Sequence, residues 1–270
     1  MNELAAMRVG SLFTGIGGFD LGFEQCGMEI SWQVENNRFC LELLGQKWPD
    51  IERRHDVRYD MEGLERTEII CGGDPCPCRS LAKGSRATSQ PDLSGWFLAV
   101  VGRLRPEWVV RENVFAPDVV EFTLGLESLG YGTVVIGFDS RDFTGQSRRR
   151  QFVLGCPPGK TTRLRGSISN AADDFGFDSS RPEETTPIAA CLTAHPSRMA
   201  AEDSYCFEPE KGGLRFLAPE ECEALQGFPR GWTAGFSKSR RRIMLGNAVT
   251  VPIVRWIGSR IIEVNGSENV

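Results

Sequence analysis

A cysteine between two prolines is the residue of this sequence best suited to act as a nucleophile. Cys76 lies in the glycine- and proline-rich turn Gly72–Ser80, which follows a short apolar run. A cysteine in such a turn is a poor core residue, and its thiolate is a strong nucleophile. Two alternatives stay open: a structural turn, and a metal site built from Cys71, Cys76 and Cys78, whose spacing matches no common zinc pattern.

Polar residues that could assist this nucleophile stand beside two later apolar runs. Glu112 follows the run 107–110, and open α/β sheets place their sites beyond the carboxyl ends of such strands. Gln146, Arg148 and Arg150 alternate just before another run, so they would share one face of an extended chain. The plainer interpretation of each is a solvated side chain.

A glycine turn near the start of the sequence could bind a cofactor. Gly15, Gly17 and Gly18 follow the first apolar run and open an amphipathic stretch. Glu35 ends the second run, and Asp56 lies near the end of a presumed third strand, so the two acids could bind the ribose and the adenine amine of an adenosine-containing cofactor. The acids do not separate S-adenosylmethionine from NAD, although the Gly-x-Gly-Gly spacing favours S-adenosylmethionine.

The hydrophobic pattern predicts the elements that would position these residues. Short apolar runs alternate with amphipathic stretches, which predicts a mainly parallel sheet with helices on both faces. The predicted strands are 7–13, 30–34, 68–71, 107–110, 133–136 and 151–154, and the predicted helices are 19–26, 38–47, 95–104, 218–225 and 251–264. The short link before 151–154 suggests an antiparallel pair at a sheet edge. The polar stretch 161–186 has no period and predicts a loop-rich second lobe.

Composition and charge restrict the class of protein. The 270 residues, 40% hydrophobic and 25% charged, are typical of a globular chain with one large core and a smaller lobe. No run approaches the ~20 apolar residues of a membrane span, and residues 1–6 lack a signal-peptide pattern, so we expect a cytoplasmic protein without membrane contact. Because the net charge is −5, any nucleic-acid contact depends on local basic clusters such as 148–150 and 238–242.

Taken in order, these residues resemble the DNA (cytosine-5) methyltransferase family. The resemblance extends from Ser11 to about Gly258 and consists of seven motifs. They are Phe13–Gly18, the acids Glu35 and Asp56, Gly73–Ser80, Glu112–Val114, Gln146–Arg150, Leu225–Pro229 and Gly246–Val249. One such motif is weak evidence, whereas seven in the family's order are specific.

The resemblance implies a fold, a domain division and partners. The implied fold is an α/β, Rossmann-like S-adenosylmethionine-dependent methyltransferase fold, with a mainly parallel seven-stranded sheet and a small loop-rich target recognition lobe. Residues 1–157, completed by 243–270, would form the catalytic domain, and 158–242 the recognition lobe. We expect S-adenosylmethionine as cofactor, no metal, double-stranded DNA as partner, and a monomer.

The resemblance also assigns site residues. The catalytic residues would be Cys76, Glu112, Arg148 and Arg150. The cofactor would contact Phe13, Thr14, Gly15, Gly17, Gly18, Glu35, Asp56, Val57, Pro75, Asn247 and Val249. The expected DNA contacts are Arg79, Ser80, Gln146, Arg198, Gln226 and Arg240. The implied reaction is methylation of carbon 5 of a flipped-out cytosine through a covalent bond between Cys76 and carbon 6.

Two departures from the family pattern lie beside the nucleophile. Pro77 stands where the family has Gln, and Arg79 where it usually has an aromatic residue. The polar stretch 83–93 that follows resembles a lid that closes over DNA. The expected recognition region, between 157 and 214, is short, which predicts a target of about two to four base pairs.

Three alternative functions remain open. A branch of the family methylates cytosine in tRNA with the same motifs. Transfer of a modified methyl group is a second alternative, because Arg79 adds a cation near the site. The third is a catalytically silent DNA-binding module, against which the complete set of Cys76, Glu112 and Arg150 argues.

Overall fold

The computed structural model describes residues 6–75, 92–115, 117–172, 192, 205–208 and 213–266. The strands are β1 (Arg8–Leu12), β2 (Glu29–Val34), β3 (Glu52–Arg54), β4 (Ile69–Gly72), β5 (Trp108–Asn113), β6 (Gly132–Asp139), β7 (Arg149–Cys156), β8 (Tyr205–Glu208) and β9 (Gly213–Phe216). The helices are α1 (Gly18–Glu24), α2 (Arg38–Lys47), α3 (Ser94–Leu104), α4 (Asp118–Ser128), α5 (Pro158–Ala172), α6 (Pro219–Gln226), α7 (Lys238–Asn247) and α8 (Val251–Gly266). Among the described helices, none is long and apolar enough to cross a membrane.

Seven strands form one mixed sheet in the order β3-β2-β1-β4-β5-β7-β6. Strands β1 to β5 pair in parallel, whereas β7 lies between β5 and β6 and is antiparallel to both. The predicted α/β class and the antiparallel pair at the sheet edge are confirmed. Because β7 runs in reverse, its first residues lie at the same edge of the sheet as the carboxyl ends of the parallel strands.

Both faces of the sheet are covered by helices. One face packs against α1, α5 and α8, whose contributions include Phe23, Leu164 and Ile257. The opposite face packs against α3 and α4 through Phe97 and Phe122. Each fully buried side chain of this kind stabilises the fold by ~1.5–3 kcal/mol, so the two layers hold the sheet and its carboxyl edge rigidly.

A third apolar cluster joins the two ends of the chain. It packs Ile16 and Leu44, from the turn after β1 and from α2, against Trp232 and Met244 near and within α7. The helices predicted at 218–225 and 251–264 are present as α6 and α8. The segment around α7 therefore lies against the glycine turn that follows β1.

The loop prediction for 161–172 is wrong, because these residues belong to α5. Leu164, Ile168 and Ala171, spaced four and three residues apart, turn one narrow apolar stripe toward the sheet domain. Polar residues fill the rest of the helix, so the stripe gives a weak periodic signal. Farther along, β8 and β9 form a two-stranded antiparallel ribbon.

Candidate active site

The turn after β1 has a backbone shape that glycine adopts readily. Gly15 and Gly17 have φ angles of +58° and +80°, in the left-handed region. Thr14 fixes the beginning of the turn, because its backbone N–H and its hydroxyl donate to the carbonyl of Val34 at 3.1 and 3.2 Å. The turn is therefore tied to the end of β2, where the next candidate residue lies.

Glu35 directly follows β2 and is buried against this turn. Its Oε2 accepts the backbone N–H of Gly15, and its Oε1 accepts that of Asn37, both at 2.7 Å. Burial raises the pKa of Glu35, and the hydrogen bonds from the backbone of Asn37 and Gly15 partly offset that rise. Each carboxylate oxygen has further lone pairs and can still accept a bond from a ligand hydroxyl.

Asp56 lies in the turn after β3 and is held by Arg58. Its oxygens accept from the backbone N–H, the Nε and the Nη2 of Arg58 at 2.9, 2.9 and 2.7 Å. Hydrogen bonding from the Arg58 side chain is the main reason that the pKa of Asp56 lies below its ordinary value. Val57 is buried in the same apolar cluster that Phe13 packs against, so this turn lies close to the end of β1.

These groups fit an adenosine-containing cofactor by the chemistry of their donors and acceptors. A left-handed glycine turn, a buried carboxylate after β2 and an ionised carboxylate after β3 meet at one edge of the sheet. Carboxylates at these two places suit the ribose hydroxyls and the adenine amine.

The Gly-Asn-Ala-Val motif, Gly246–Val249, packs against the glycine turn through Val249. A Cβ atom on Gly18 would lie 2.7 Å from Cγ1 of Val249, so only glycine allows this approach. Trp232 strengthens the junction by donating its Nε1–H to the carbonyl of Ile16 at 3.0 Å. Asn247, at the end of α7, is exposed.

Glu112 and Arg150 form an ion pair at the carboxyl edge of the sheet. Glu112 Oε1 is 3.0 Å from Arg150 Nε, and the two side chains are only 12% and 16% exposed. Burial raises the pKa of Glu112, while the charges of Arg150 and Arg148 act in the opposite direction. The other carboxylate oxygen faces the loop after β4, 3.0 Å from where a Cβ on Gly73 would lie. The predicted grouping of Glu112 with Arg150 beside the cysteine loop is present.

Arg148 has a different environment from Arg150. It is buried, and its terminal nitrogens donate to the carbonyls of Leu192 and Ala248 at 2.9 Å and of Gly246 at 3.2 Å. Arg148 therefore ties the start of β7 to the C-terminal motif, and its predicted catalytic role would be one of support. Gln146 is fully buried and, within the described residues, neither its amide nitrogen nor its oxygen has a hydrogen-bond partner.

Two expected DNA contacts lie near α6 and α7. Gln226 is fully buried; its amide donates to the Leu245 carbonyl at 3.0 Å and its oxygen accepts from Thr250 at 2.9 Å. Contact between Gln226 and DNA would require these two hydrogen bonds to break. The DNA contact of Gln226 stays a prediction. The Arg240 guanidinium carbon lies 3.7 Å from the ring centre of Phe39, at the partly exposed beginning of α7.

Several predicted residues lie outside the described part of the chain. Cys76, Arg79, Ser80 and Arg198 are among them, as is the predicted lid up to residue 91. Pro75, the last described residue before the cysteine, is exposed. Within the described ranges, no group of three histidine, cysteine or acidic residues could hold a metal ion. The roles of these residues stay predictions.

A buried ion network beside the site was missed at the sequence level. Arg111 on β5 donates to Asp74 through Nε at 2.5 Å and Nη2 at 2.8 Å, and to Asp118 through Nη2 at 2.7 Å. The sequence did offer a signal: Arg111 directly follows the predicted apolar strand 107–110 and would be a charged residue within it if the strand were one residue longer. A charge there requires a buried partner of opposite sign, and Asp74 lies in the cysteine loop.

The strand order with its reversed β7, the glycine turn and the acid after β2 define the Rossmann-like methyltransferase class. The crystal structure of a DNMT2 mutant from Spodoptera frugiperda matches with a TM-score of 0.70 at 13% identity, covering 95% of this chain and 100% of that chain. The Dnmt2 methyltransferase of S. pombe matches with a TM-score of 0.67 at 14% identity, covering 96% and 99%. These likenesses confirm the predicted fold.

Sequence comparison gives the family. The chain matches the family described as C-5 cytosine-specific DNA methylase over residues 7–197 and 192–263. The type II methyltransferase M.HindV of Haemophilus influenzae is 26% identical, over 95% of this chain and 97% of its own. M2.BsuMI of Bacillus subtilis is 24% identical, over 97% and 77%. The protein therefore belongs to the C-5 cytosine-specific DNA methylase family, and the predicted resemblance is confirmed.

Proposed function

We propose that this protein transfers a methyl group from S-adenosylmethionine to carbon 5 of cytosine in duplex DNA. The observation that carries the proposal is the shielded ion pair between Glu112 and Arg150, which faces Gly73 in the loop leading to Cys76. A carboxyl group and a guanidinium beside a cysteine can together bind a pyrimidine ring and activate it. The type II methyltransferases to which the chain is similar support this proposal.

The pocket around the glycine turn would hold S-adenosylmethionine, which when bound supplies the methyl group. Glu35 would accept from the ribose hydroxyls and Asp56 from the adenine amine. Phe13 and Val57 would pack against the adenine ring. The other proposed contacts are Thr14, Gly15, Gly17, Gly18, Pro75, Asn247 and Val249.

The protein's own groups would make carbon 5 reactive. Addition of the Cys76 thiolate to carbon 6 removes the aromaticity of the ring and gives carbon 5 the character of an enamine carbon. Glu112 would bond to ring nitrogen 3 and the exocyclic amine, and Arg150 to the carbonyl oxygen at position 2. A carboxyl group with a raised pKa suits this role, because it can share a proton with nitrogen 3 as negative charge develops there.

The reaction would end with loss of the carbon 5 proton. A water molecule would accept this proton, the electron pair of the carbon–hydrogen bond would form the double bond between carbons 5 and 6, and the bond between carbon 6 and the Cys76 sulfur would break. The thiolate is regenerated and the methylated base regains its aromaticity. The enzyme is thereby ready for another turnover.

Duplex DNA would have to present the cytosine outside its base stack. Extrusion of a base costs a few kcal/mol, and the recognition lobe proposed within 158–242 would stabilise the opened DNA. Because α5 packs on the sheet domain, we place the base-reading part of this lobe after Ala172. Arg240 lies over the ring of Phe39 at the beginning of α7, and we propose that it contacts a DNA phosphate.

A mechanism-trapping substrate tests both the substrate and the nucleophile. Duplex DNA containing 5-fluorocytosine has no removable proton at carbon 5, so the protein should stay covalently attached after methyl transfer. We expect an adduct that survives denaturing electrophoresis, with the attachment at Cys76 in peptide mass spectrometry. Attachment at another residue would refute the nucleophile assignment.

Two controls complete this experiment. Cys76→Ser should abolish turnover and adduct formation while leaving S-adenosylmethionine affinity unchanged, because the serine hydroxyl is a far weaker nucleophile than a thiolate. Labelled S-adenosylmethionine should transfer its methyl group to duplex DNA but not to tRNA. Preferential labelling of tRNA would contradict the proposed substrate.

A further inference from the structure

Two adjacent residues of β5 lie against the loop that leads to Cys76, from opposite faces of the strand. Val110 packs into the apolar cluster on one face of the sheet, and Val109 into the cluster on the other. Because side chains alternate along a strand, Glu112 follows Val110 to the first face and Arg111 follows Val109 to the second. Glu112 there faces Gly73, and Arg111 binds the next residue of the loop, Asp74.

The paired hydrogen bonds between Arg111 and Asp74 fix both the distance and the orientation of the loop relative to β5. Arg111 Nε and Nη2 each donate to a different oxygen of Asp74, at 2.5 and 2.8 Å, which is the bidentate geometry that restricts both distance and orientation. The Asn113 amide adds a longer bond of 3.4 Å to the Asp74 backbone carbonyl. The side chains of Arg111 and Asp74 are only 1% and 3% exposed.

Arg111 is itself held from the helix side. Its Nη2 also donates to Asp118, the first residue of α4, at 2.7 Å, and its guanidinium carbon lies 4.4 Å from the ring centre of Phe122. Burial works against the charge of Arg111, but bonding to Asp74 and Asp118 raises its pKa above the ordinary value. The Arg111 guanidinium is therefore charged, and its hydrogen bonds join the loop at Asp74 to the start of α4 at Asp118.

Stability alone does not account for such a network. Burying an ion pair costs about as much in lost hydration as the pair returns, and well-packed apolar residues are often equally stable or better. A bidentate pair does provide a fixed geometry between two segments. Here the segments are the strand that carries Glu112 and the loop that carries the nucleophile two residues after Asp74.

We propose that Asp74 and Arg111 are positioning residues, which fix the Cys76 loop relative to Glu112 for attack on the base. The inference rests on the proposed function, because it assigns the purpose of the pair to the thiolate addition step. Neither residue touches the substrate in this scheme; they act through the loop and the strand that they join.

The test compares two variants that each neutralise one carboxylate around the same guanidinium. Asp74→Asn removes the carboxylate of the loop, and its amide N–H₂ would point at the N–H donors of Arg111. Asp118→Asn removes the carboxylate of the helix and leaves the loop contact in place. Asp118→Asn should lose less thermal stability, because Asp118 accepts one bond from Arg111 and is 14% exposed, whereas Asp74 accepts two and is 3% exposed. The melting temperature of each variant is therefore measured alongside its rate.

Two measurements separate positioning from stability. Hydrogen exchange of the amides at 73, 74 and 76 should accelerate at least tenfold in Asp74→Asn and stay as in the wild type in Asp118→Asn. Single-turnover methylation of duplex DNA should slow by about 100-fold in Asp74→Asn, since a misplacement of ~1 Å can cost that much, and by less than about threefold in Asp118→Asn. S-adenosylmethionine affinity should stay within about twofold in both.

Equal exchange in the two variants, or equal rates, would overturn the proposal. The paired variant Asp74→Asn with Arg111→Gln replaces the ion pair by two amides and covers the case in which the single variant does not fold; wild-type exchange and rate in it would overturn the proposal as well. Absence of DNA methylation by the wild-type protein would overturn the proposed function and, with it, the catalytic part of this inference. The exchange comparison would still decide by itself whether Asp74 holds the loop.

Discussion

Burial gives Glu112 its chemical character. A solvated glutamate would be ionised at neutral pH, but shielding raises the pKa of Glu112, and only the nearby arginines moderate that rise. In the proposed reaction, this raised pKa would favour sharing of a proton between Glu112 and ring nitrogen 3. Among the nearby charges, that of Arg150 lowers the pKa of Glu112 the most.

Replacing Arg150 should shift the pH dependence of the reaction. If protonated Glu112 is the active form, the rate falls as pH rises through its pKa. Arg150→Met removes a charge that lowers this pKa, so the fall in rate should move to higher pH. The maximal rate should drop about 10- to 100-fold, because the proposed hydrogen bond from Arg150 to the carbonyl oxygen at position 2 of the base is lost. Single-turnover rates across pH would measure both effects. Arg149→Met, whose side chain is 81% exposed, should retain the wild-type profile; a fall at lower pH in Arg150→Met would contradict the assignment.

Glu35 is expected to act in binding and not in chemistry. Glu35→Gln removes the charge and turns an N–H₂ group toward one of the two backbone N–H donors from Gly15 and Asn37. We expect S-adenosylmethionine affinity to fall about 10- to 100-fold, as for loss of a charged hydrogen bond, with little change in rate at saturating cofactor. Titration calorimetry measures the affinity. Glu42→Gln on the exposed side of α2 is the matched control, and unchanged binding in Glu35→Gln would count against a ribose contact.

At the scale of elements, the reversed strand β7 brings together residues from different motifs. Its first residues pair with the end of β5, so Arg150 reaches Glu112. Arg148, two residues earlier, bonds instead to the carbonyls of Gly246 and Ala248 at the end of α7. One short segment thus carries Arg150 of the proposed catalytic pair and Arg148, which bonds to the Gly-Asn-Ala-Val motif.

Loss of Arg148 should affect stability more than loss of an exposed arginine. Arg148→Met leaves the carbonyls of Leu192, Gly246 and Ala248 without their donor in a buried place. The expected cost is ~3–5 kcal/mol, by analogy with removal of one partner from a buried charged pair. This corresponds to a melting temperature about 10 °C lower, which calorimetry would detect. Arg255→Met, on the exposed face of α8, should melt within about 1 °C of the wild type; an equal loss in both variants would refute the role of Arg148.

The elements were predictable from sequence where their pattern is strong. Short apolar runs predicted β1, β2 and β4 to within two residues, and α2 begins and ends as predicted. Helix α5 was missed because its apolar stripe is only three residues wide. The Glu112–Arg150 pair could be expected from motif order, whereas the Asp74–Arg111 pair depends on which loop meets which strand face, and no local pattern encodes that.

At the scale of the whole molecule, a buried carboxyl group links stability to pH. Asp20 on α1 is fully buried and accepts from the Gln33 amide at 2.7 Å, and Gln33 in turn accepts from Arg53. Burial raises the pKa of Asp20 from 3.8 to about 7, with Glu24 adding to the rise and Arg53 opposing it. Between these two values the folded protein binds a proton that the unfolded chain has released, so the free energy of unfolding falls as pH rises.

Asp20→Asn should remove this pH dependence. The wild type should lose on the order of 4 kcal/mol between pH 4 and 8, since each pKa unit corresponds to about 1.4 kcal/mol. The variant should be the more stable protein at pH 8 and lose the advantage as pH approaches 4. Urea unfolding at several pH values measures this difference, with exposed Asp50→Asn as the control. Parallel stability curves for Asp20→Asn and the wild type would show that Asp20 does not titrate in this range.

The contact between the glycine turn and the C-terminal segment has a consequence for synthesis on the ribosome. Trp232 bonds to Ile16 across 216 residues of sequence, and Val249 packs on Gly18. At about 5–20 residues per second, the two sides of this junction emerge on the order of 10 to 50 s apart. During that interval the nascent chain has its first strands, but its glycine turn lacks the contacts with Trp232 and Val249. We therefore expect a nascent chain to bind no cofactor until Val249 has emerged from the ribosome.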